Sequence, residues 1–425
     1  MLFEPHRHEP LCSAAWDAAQ VRAGLRAVVL EIEQQRRHDG RWPLHPDDDE
    51  GDEPGTGFKA LYLGRAGVLW ALWSLQRRGA VALQMALETE LDFAQAIAEA
   101  EAGWRADPDF GRRELSLFVG LAGLLWARWQ ITGSPGAADA LHEAVRDNLN
   151  HPSQEPFWGA PGSLLVAQAL AQSTGETRWH ALFVAGAEAL WQGWVFDEAA
   201  QCHLWTQQLQ GKSVQYLGAG HGFAGCVQPL LLGAARLDAG RRAQLYERCE
   251  ATLAALARHE GGAVNWPPGT YKPRPDGPQM LMQWCHGAPG IVNALAAYPR
   301  GLSPRVDALL EGAGLAIWQA GPLAKGPGLC HGTAGNGLAF LTLYRRTGNA
   351  LWLQRARAFA MHALAQSERL RREHGQPRCT LGTGDAGLAL YLWRCLEEGV
   401  ALPGMPAEGL AVAAGPQSVR ASPLE

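Results

Sequence analysis

The chain has 425 residues, 47% of them hydrophobic, with 50 glycines, eight cysteines and a formal net charge of −5. Basic residues are spread along it, which excludes a nucleic-acid groove built on a basic patch. No apolar run is long enough to span a membrane, and the first ten residues are polar and rich in His and Glu, unlike a signal peptide. These features predict a soluble cytosolic protein, in which eight cysteines are too sparse for a disulfide scaffold and a Cys/His cluster points to metal or catalysis.

In chain order, residues 15–35 carry a helical pattern without an apolar partner of their own. The acidic stretch 47–53 resembles a cation loop but reads as a solvated surface loop among Gly and Pro. From residue 61 a unit repeats seven times: a short turn, then Gly-x-x-Gly, then a helix apolar nearly all round. The glycine pairs are Gly64 and Gly67, Gly120 and Gly123, Gly159 and Gly162, Gly222 and Gly225, Gly287 and Gly290, Gly332 and Gly335, and Gly384 and Gly387. A helix apolar on all faces is buried. Amphipathic segments follow most copies, at 81–102, 241–259, 303–319 and 351–366. The seventh inner helix, near 388–396, has no outer partner after it, so the helix at 15–35 is expected to close the ring. The predicted architecture is all-α: an α/α toroid of seven inner and seven outer helices in one domain, residues 1–400, with a flexible tail over 401–425. No alternating strand pattern of any length is found. The glycines permit tight turns and close backbone approach where inner-helix N-termini crowd together.

Copies four to six carry reactive side chains just before the glycine pair: YLGAGHGFAG at 216–225, WCHGAPG at 284–290 and GLCHGTAGN at 328–336. In a toroid these loops converge on one mouth. Cys285, Cys330 and His331 form a good zinc set, and three protein ligands with an open fourth position are the pattern of a catalytic site. His221 or His286 remains available as a fourth, closing ligand. His221 otherwise suits proton transfer near neutral pH, and His286 would orient the site or hold an anion. Trp158, Trp266 and Trp284 either line a cleft or pack in the core.

These three motifs together resemble the lanthionine synthetase cyclase (LanC-like) family, over about residues 61–396. The Cys-His-Gly of copy five, with His286 where bacteriocin cyclases typically have Tyr, and Lys325 ahead of copy six are similar to its stand-alone, eukaryotic-type branch. The resemblance implies one Zn²⁺ on Cys285, Cys330 and His331. It also implies Michael-type addition of a thiol, from a peptide cysteine or glutathione, to dehydroalanine or dehydrobutyrine in a dehydrated peptide. His221 would act as the acid, and a dehydratase enzyme is an expected partner. Two positions depart from the family. Glu155 stands where Asp is common, and would orient an imidazole with a longer arm. The arginine that cyclases carry shortly before the Trp-Cys pair is absent, with residues 280–283 (MLMQ) in its place; Arg274 or Arg378 would have to substitute in space. Lys325 would meet a glutathione carboxylate or a peptide phosphate. The alternative is a non-catalytic zinc protein that binds glutathione or a partner peptide. A toroid glycosidase would need two facing carboxylates, and the sequence offers no obvious pair.

Overall fold

The computed structural model describes residues 1–48, 60–87, 89–102, 113–209, 211–271, 277 and 279–398. Arg274, the tail 401–425 and most of the acidic stretch lie outside them. The described residues form fourteen α-helices: α1 (Ala18–Gln34), α2 (Arg65–Arg77), α3 (Glu90–Ala102), α4 (Leu121–Thr132), α5 (Pro135–Asn148), α6 (Ala160–Thr174), α7 (Thr177–Gly193), α8 (Phe223–Leu232), α9 (Ala239–Leu256), α10 (Ala288–Ala294), α11 (Pro304–Ala320), α12 (Thr333–Thr347), α13 (Ala350–His374) and α14 (Asp385–Leu396). Among them, no helix is long and apolar enough to cross a membrane.

The even-numbered helices are the inner set, and most residues of α2, α6, α12 and α14 are buried. Along the inner ring α2 packs on α4, α6 on α8, α8 on α10, α10 on α12 and α12 on α14, and α14 returns to lie beside α2. The early helix α1 packs on α14 and α13, so it completes the outer layer as the sequence predicts.

The two helix sets begin differently. Outer helices α1, α5, α9, α11 and α13 start on Asp17, Ser134, Asp238, Ser303 and Asn349, whose side chains accept backbone N–H groups of the first turn. All seven inner helices start on the first glycine of a Gly-x-x-Gly pair, with no side-chain cap. In α8 and α12 the free N–H groups are instead met by the chain's own entry loop, seven residues back. Phe223, Ala224 and Gly225 donate to Tyr216, Leu217 and Gly218; Thr333, Ala334 and Gly335 donate to Gly326, Pro327 and Gly328. A loop folded so tightly over the helix leaves no room at the second glycine. A Cβ on Gly290 or Gly335 would overlap the carbonyl oxygen of Trp284 or Leu329, six residues earlier, and the other five copies repeat this.

Three details differ from the sequence reading. The outer helix expected over 81–102 begins only at Glu90. Three antiparallel hairpins of three-residue strands interrupt the helices: β1 (Val195–Asp197) with β2 (Cys202–Leu204), β3 (Gln207–Leu209) with β4 (Lys212–Val214), and β5 (Arg258–Glu260) with β6 (Ala263–Asn265). Three residues are too few to display alternation. The start of the acidic stretch is also not simply a solvated loop. Asp48 is buried at 4% exposure, accepting from the Arg378 guanidinium and the Thr383 hydroxyl.

Candidate metal centre and acid–base pair

The residues two places before each first glycine are Tyr62, Phe118, Phe157, Gly220, Cys285, Cys330 and Gly382. Five backbone hydrogen bonds link six of them into an arc. Tyr62 donates to Phe118 (2.8 Å), Gly382 to Tyr62 (2.8 Å), Cys330 to Gly382 (2.7 Å), Cys285 to Cys330 (3.2 Å) and Gly220 to Cys285 (3.1 Å). Phe157, the seventh, stacks on Phe118 at a centroid distance of 5.0 Å and meets Tyr62 edge-on at 4.8 Å. The next place in each loop holds Leu63, Val119, Trp158, His221, His286, His331 and Thr383. Cysteines therefore fall at one level of the arc and histidines at the next, and the repeat brings together residues far apart in sequence.

Cys285, Cys330 and His331 each present a ligand atom within 4.8 Å of the other two. Both cysteines are buried and unpaired by disulfide. Nε2 of His331 is buried without a hydrogen-bond partner. A buried orphan nitrogen beside two thiols fits a soft-to-borderline divalent ion such as zinc. A hydrogen bond from Cys330, helped by His331, holds the Cys285 thiol well below the ordinary thiol range against the cost of burial. Burial, reinforced by the neighbouring Cys285 sulfur, pushes Cys330 well up. The pair thus favours one thiolate and one thiol, and metal binding would release the remaining proton.

Two neighbours of the sulfurs escaped sequence reasoning. The Gln283 side-chain amide donates to Cys285 Sγ at 2.9 Å. It ends the MLMQ segment that stands in place of the family arginine, and its only signal was a polar residue closing an apolar run. Tyr62 shares a hydrogen bond with the Cys330 side chain; its place two before a first glycine, the same as that of Cys330, was the clue.

His221 lies one loop from Cys285. Its Nδ1 is 2.9 Å from Glu155 Oε2, and the Glu155 carboxylate also accepts the Trp158 backbone N–H. Glu155 is fully buried, and a polar group taken out of water needs such partners. Burial alone would lower the His221 pKa, but the hydrogen bond and charge of Glu155, with a contribution from Cys285, raise it above the usual histidine value. The His221 side chain is 25% exposed, with Trp158 stacked on it at 6.0 Å and Phe157 at 5.0 Å. His286 lies 5.7 Å from His221, ring centre to ring centre, and 5.3 Å from Tyr216. Burial lowers its pKa, and its Nδ1 has no hydrogen-bond partner. Neither His221 nor His286 belongs to the group of three that could share a metal.

The remaining predicted residues are peripheral. Lys325 is exposed, and its charge favours the Cys330 thiolate. It lines a cavity with Arg371, Arg378, His45, His374 and Asp385. Arg378 is engaged by Asp48 and lies 3.9 Å from Asp47, so it anchors the turn at 46–48. Trp266 is a core residue, its indole N–H donating to the Leu253 carbonyl; Trp158 and Trp284 are half-buried.

The chain is similar to two proteins of known description. A Danio rerio protein described as Glutathione S-transferase LANCL1 is 33% identical over 172 residues, 39% of this chain and 38% of that protein. The LanC-like protein GCL1 of Arabidopsis thaliana is 41% identical over 102 residues, 23% of this chain and 22% of that protein. The matched stretches thus span less than two-fifths of these relatives. Among solved structures, a GH76A alpha-1,6-mannanase from Salegentibacter sp. HEL1_6 aligns over 82% of this chain and 99% of its own, with a TM-score of 0.36 and 11% identity, too distant to bear on function. The model of the family "Lanthionine synthetase C-like protein" matches residues 58–406. With seven Gly-x-x-Gly entries and the Cys-Cys-His cluster inside that span, the chain belongs to the lanthionine synthetase C-like family.

Proposed function

We propose that the chain is a zinc-dependent enzyme that adds a thiol, from glutathione or a peptide cysteine, to dehydroalanine or dehydrobutyrine in a peptide, forming a thioether. The observation that carries this reading is the placement of the Cys285, Cys330 and His331 cluster one loop from a histidine whose proton is held by a buried glutamate. Cys285, Cys330 and His331 would hold the ion, which on binding a substrate sulfur favours its thiolate.

The chain's own residues then do the rest. The thiol loses its proton to solvent, its sulfur forms a bond to the alkene β-carbon, the alkene electron pair moves toward the adjacent carbonyl, and His221 regains a proton from solvent after each turnover. His221, with Nδ1 on Glu155, carries the proton on its other nitrogen and delivers it to the α-carbon, so the net change is addition of S–H across the double bond. Glu155 raises the His221 pKa and so favours its protonated form. Trp158 and Phe157 fix the ring plane and exclude water from one side. His286, its pKa lowered by burial, has a buried Nδ1 without a hydrogen-bond partner and would bind a polar group of the peptide. Lys325, with Arg371 in the adjacent cavity, supplies positive charge for a carboxylate of the thiol substrate. The name of the Danio rerio relative points toward glutathione.

Incubation with zinc, a dehydroalanine peptide and glutathione, or with a peptide carrying its own cysteine, tests this by mass spectrometry. A thioether adduct is expected, and no product with either thiol from fully metallated protein contradicts the proposal. The second reading is a non-catalytic zinc protein that binds glutathione or a partner peptide. It is favoured by Gln283 standing in the segment where cyclases carry arginine, and it predicts binding without turnover.

A further inference from the structure

Among the described residues, a second group of three metal-ligating side chains comes together away from the sulfurs: His45, Asp47 and His374. His45 and Asp47 flank Pro46 at the turn 46–48, and His374 is the last residue of α13. Asp47 Oδ2 lies 3.6 Å from His45 Nδ1 and 3.9 Å from His374 Nε2. The two imidazole rings are 4.8 Å apart and near perpendicular, at 71°. Ligand atoms about 2.0–2.2 Å from a shared ion stand roughly 3–4 Å apart, so these spacings need little adjustment.

The cluster is supported from beneath. Asp48, next to Asp47, is buried against Arg378 and Thr383, which fixes the turn. His45 is buried, while Asp47 and His374 open to solvent at 44% and 34% exposure. The Asp47 backbone N–H donates to His45 Nδ1 at 3.2 Å, a long contact that ligation by the same nitrogen would replace. Three cations face the cluster. Arg378 makes closer contacts with the Asp48 carboxylate than its 3.9 Å approach to the Asp47 carboxylate, Arg371 pairs with Glu31, and Lys325 lines the same cavity. The carboxylate of Asp385 also faces that cavity.

We propose that His45, Asp47 and His374 form a second metal site, for a divalent transition ion of the zinc, cobalt or nickel class. Two imidazole nitrogens and one carboxylate suit these ions, whereas calcium and magnesium favour all-oxygen sets. His45, Asp47 and His374 line a cavity together with Lys325 and Arg371, where water or an anion would complete the shell of a bound ion. The site touches the sulfur arc through one short path: Thr383 donates to Asp48, and the carbonyl of its neighbour Gly382 accepts the Cys330 N–H.

Cobalt loading of the full-length protein tests the proposal without reference to activity. The metal-free chain is titrated with Co²⁺, dialysed, and assayed for metal content and visible absorption. Two ions per chain are expected, only one with a thiolate-to-cobalt charge-transfer band. His374→Gln and Asp47→Asn, both at exposed positions, should lose one ion and keep the sulfur band. Cys330→Ala should lose the sulfur band and keep the other ion. A single ion that carries the sulfur band in the wild type, or a metal content unchanged from wild type in both His374→Gln and Asp47→Asn, overturns the second site. Absence of the sulfur band alone counts against the first site and leaves this one standing.

Discussion

Cys285 donates its backbone N–H to the carbonyl of Cys330 at 3.2 Å. The two cysteines are thus adjacent rungs of one arc of entry loops, and their sulfurs meet because both stand two places before a first glycine. The metal cluster is a consequence of the repeat, and damage to the repeat should reach the metal.

Gly335→Ala places a methyl group against the Leu329 backbone carbonyl, which has no rotamer to yield. The expected cost is about 3 kcal/mol or more, at the upper end for overpacking, with loss of bound metal. Gly136→Ala is the contrasting case. It lies in the first turn of α5, where a Cβ would meet only the Ser134 hydroxyl at 3.7 Å. There the substitution should stabilise by roughly 0.5–1 kcal/mol, because glycine loses the most backbone freedom on folding. Urea denaturation of the two variants beside the wild type checks both signs.

Gln283→Leu removes the amide that donates to Cys285 Sγ. Loss of a partner to a metal ligand typically weakens metal affinity about 10–100-fold. Chelator competition should show that decrease with the fold intact by circular dichroism. Unchanged affinity would make Gln283 a packing residue.

Glu155→Gln should lower the His221 pKa, since burial then acts with little opposition. In the wild type the raised folded value means that this pair's stabilisation is fully present below the unfolded value of 6.5 and is lost as pH rises through the folded value. In the variant a folded value below 6.5 reverses the sign, so this histidine destabilises the fold as pH falls below 6.5, and activity should fall on the alkaline side at lower pH than in the wild type. Histidine NMR titration of both proteins reads the shift directly.

Asp385, the first residue of α14, is raised from 3.8 to about 6 by burial, against the Ser367 hydroxyl and the charges of Arg371 and Arg378. A raised carboxyl favours the folded state when protonated. Its contribution is therefore full below pH 3.8 and lost as pH rises through about 6. Asp385→Asn should remove that dependence, gaining up to roughly 3 kcal/mol over the wild type at pH 8. Thermal melts from pH 4 to pH 8 should converge at the acid end and diverge at the alkaline end.

What could be read in the sequence follows from where the physics is local. The glycine pairs were legible because only a residue without Cβ tolerates a carbonyl so close, and that demand recurs seven times. The sulfur and histidine positions were legible because they share a place in the repeat. His45, Asp47 and His374 share none, since one turn and the far end of α13 meet only in the folded ring. The burial of Asp48 was hidden for the same reason: its partners Arg378 and Thr383 lie more than 300 residues away. Glu155 was visible as a departure from the family pattern, but its hydrogen bond to His221 crosses 66 residues and needed coordinates.

The most direct measurement is the rate of thioether formation and the sulfur-site metal content of the wild type, Cys330→Ala and His221→Ala, assayed side by side. The account predicts product and metal in the wild type and neither in Cys330→Ala. His221→Ala should keep the metal and lose about 10²–10⁴-fold in rate, the usual worth of a positioned acid. Full activity in His221→Ala, or no product from fully metallated wild type with any thiol tried, would contradict it.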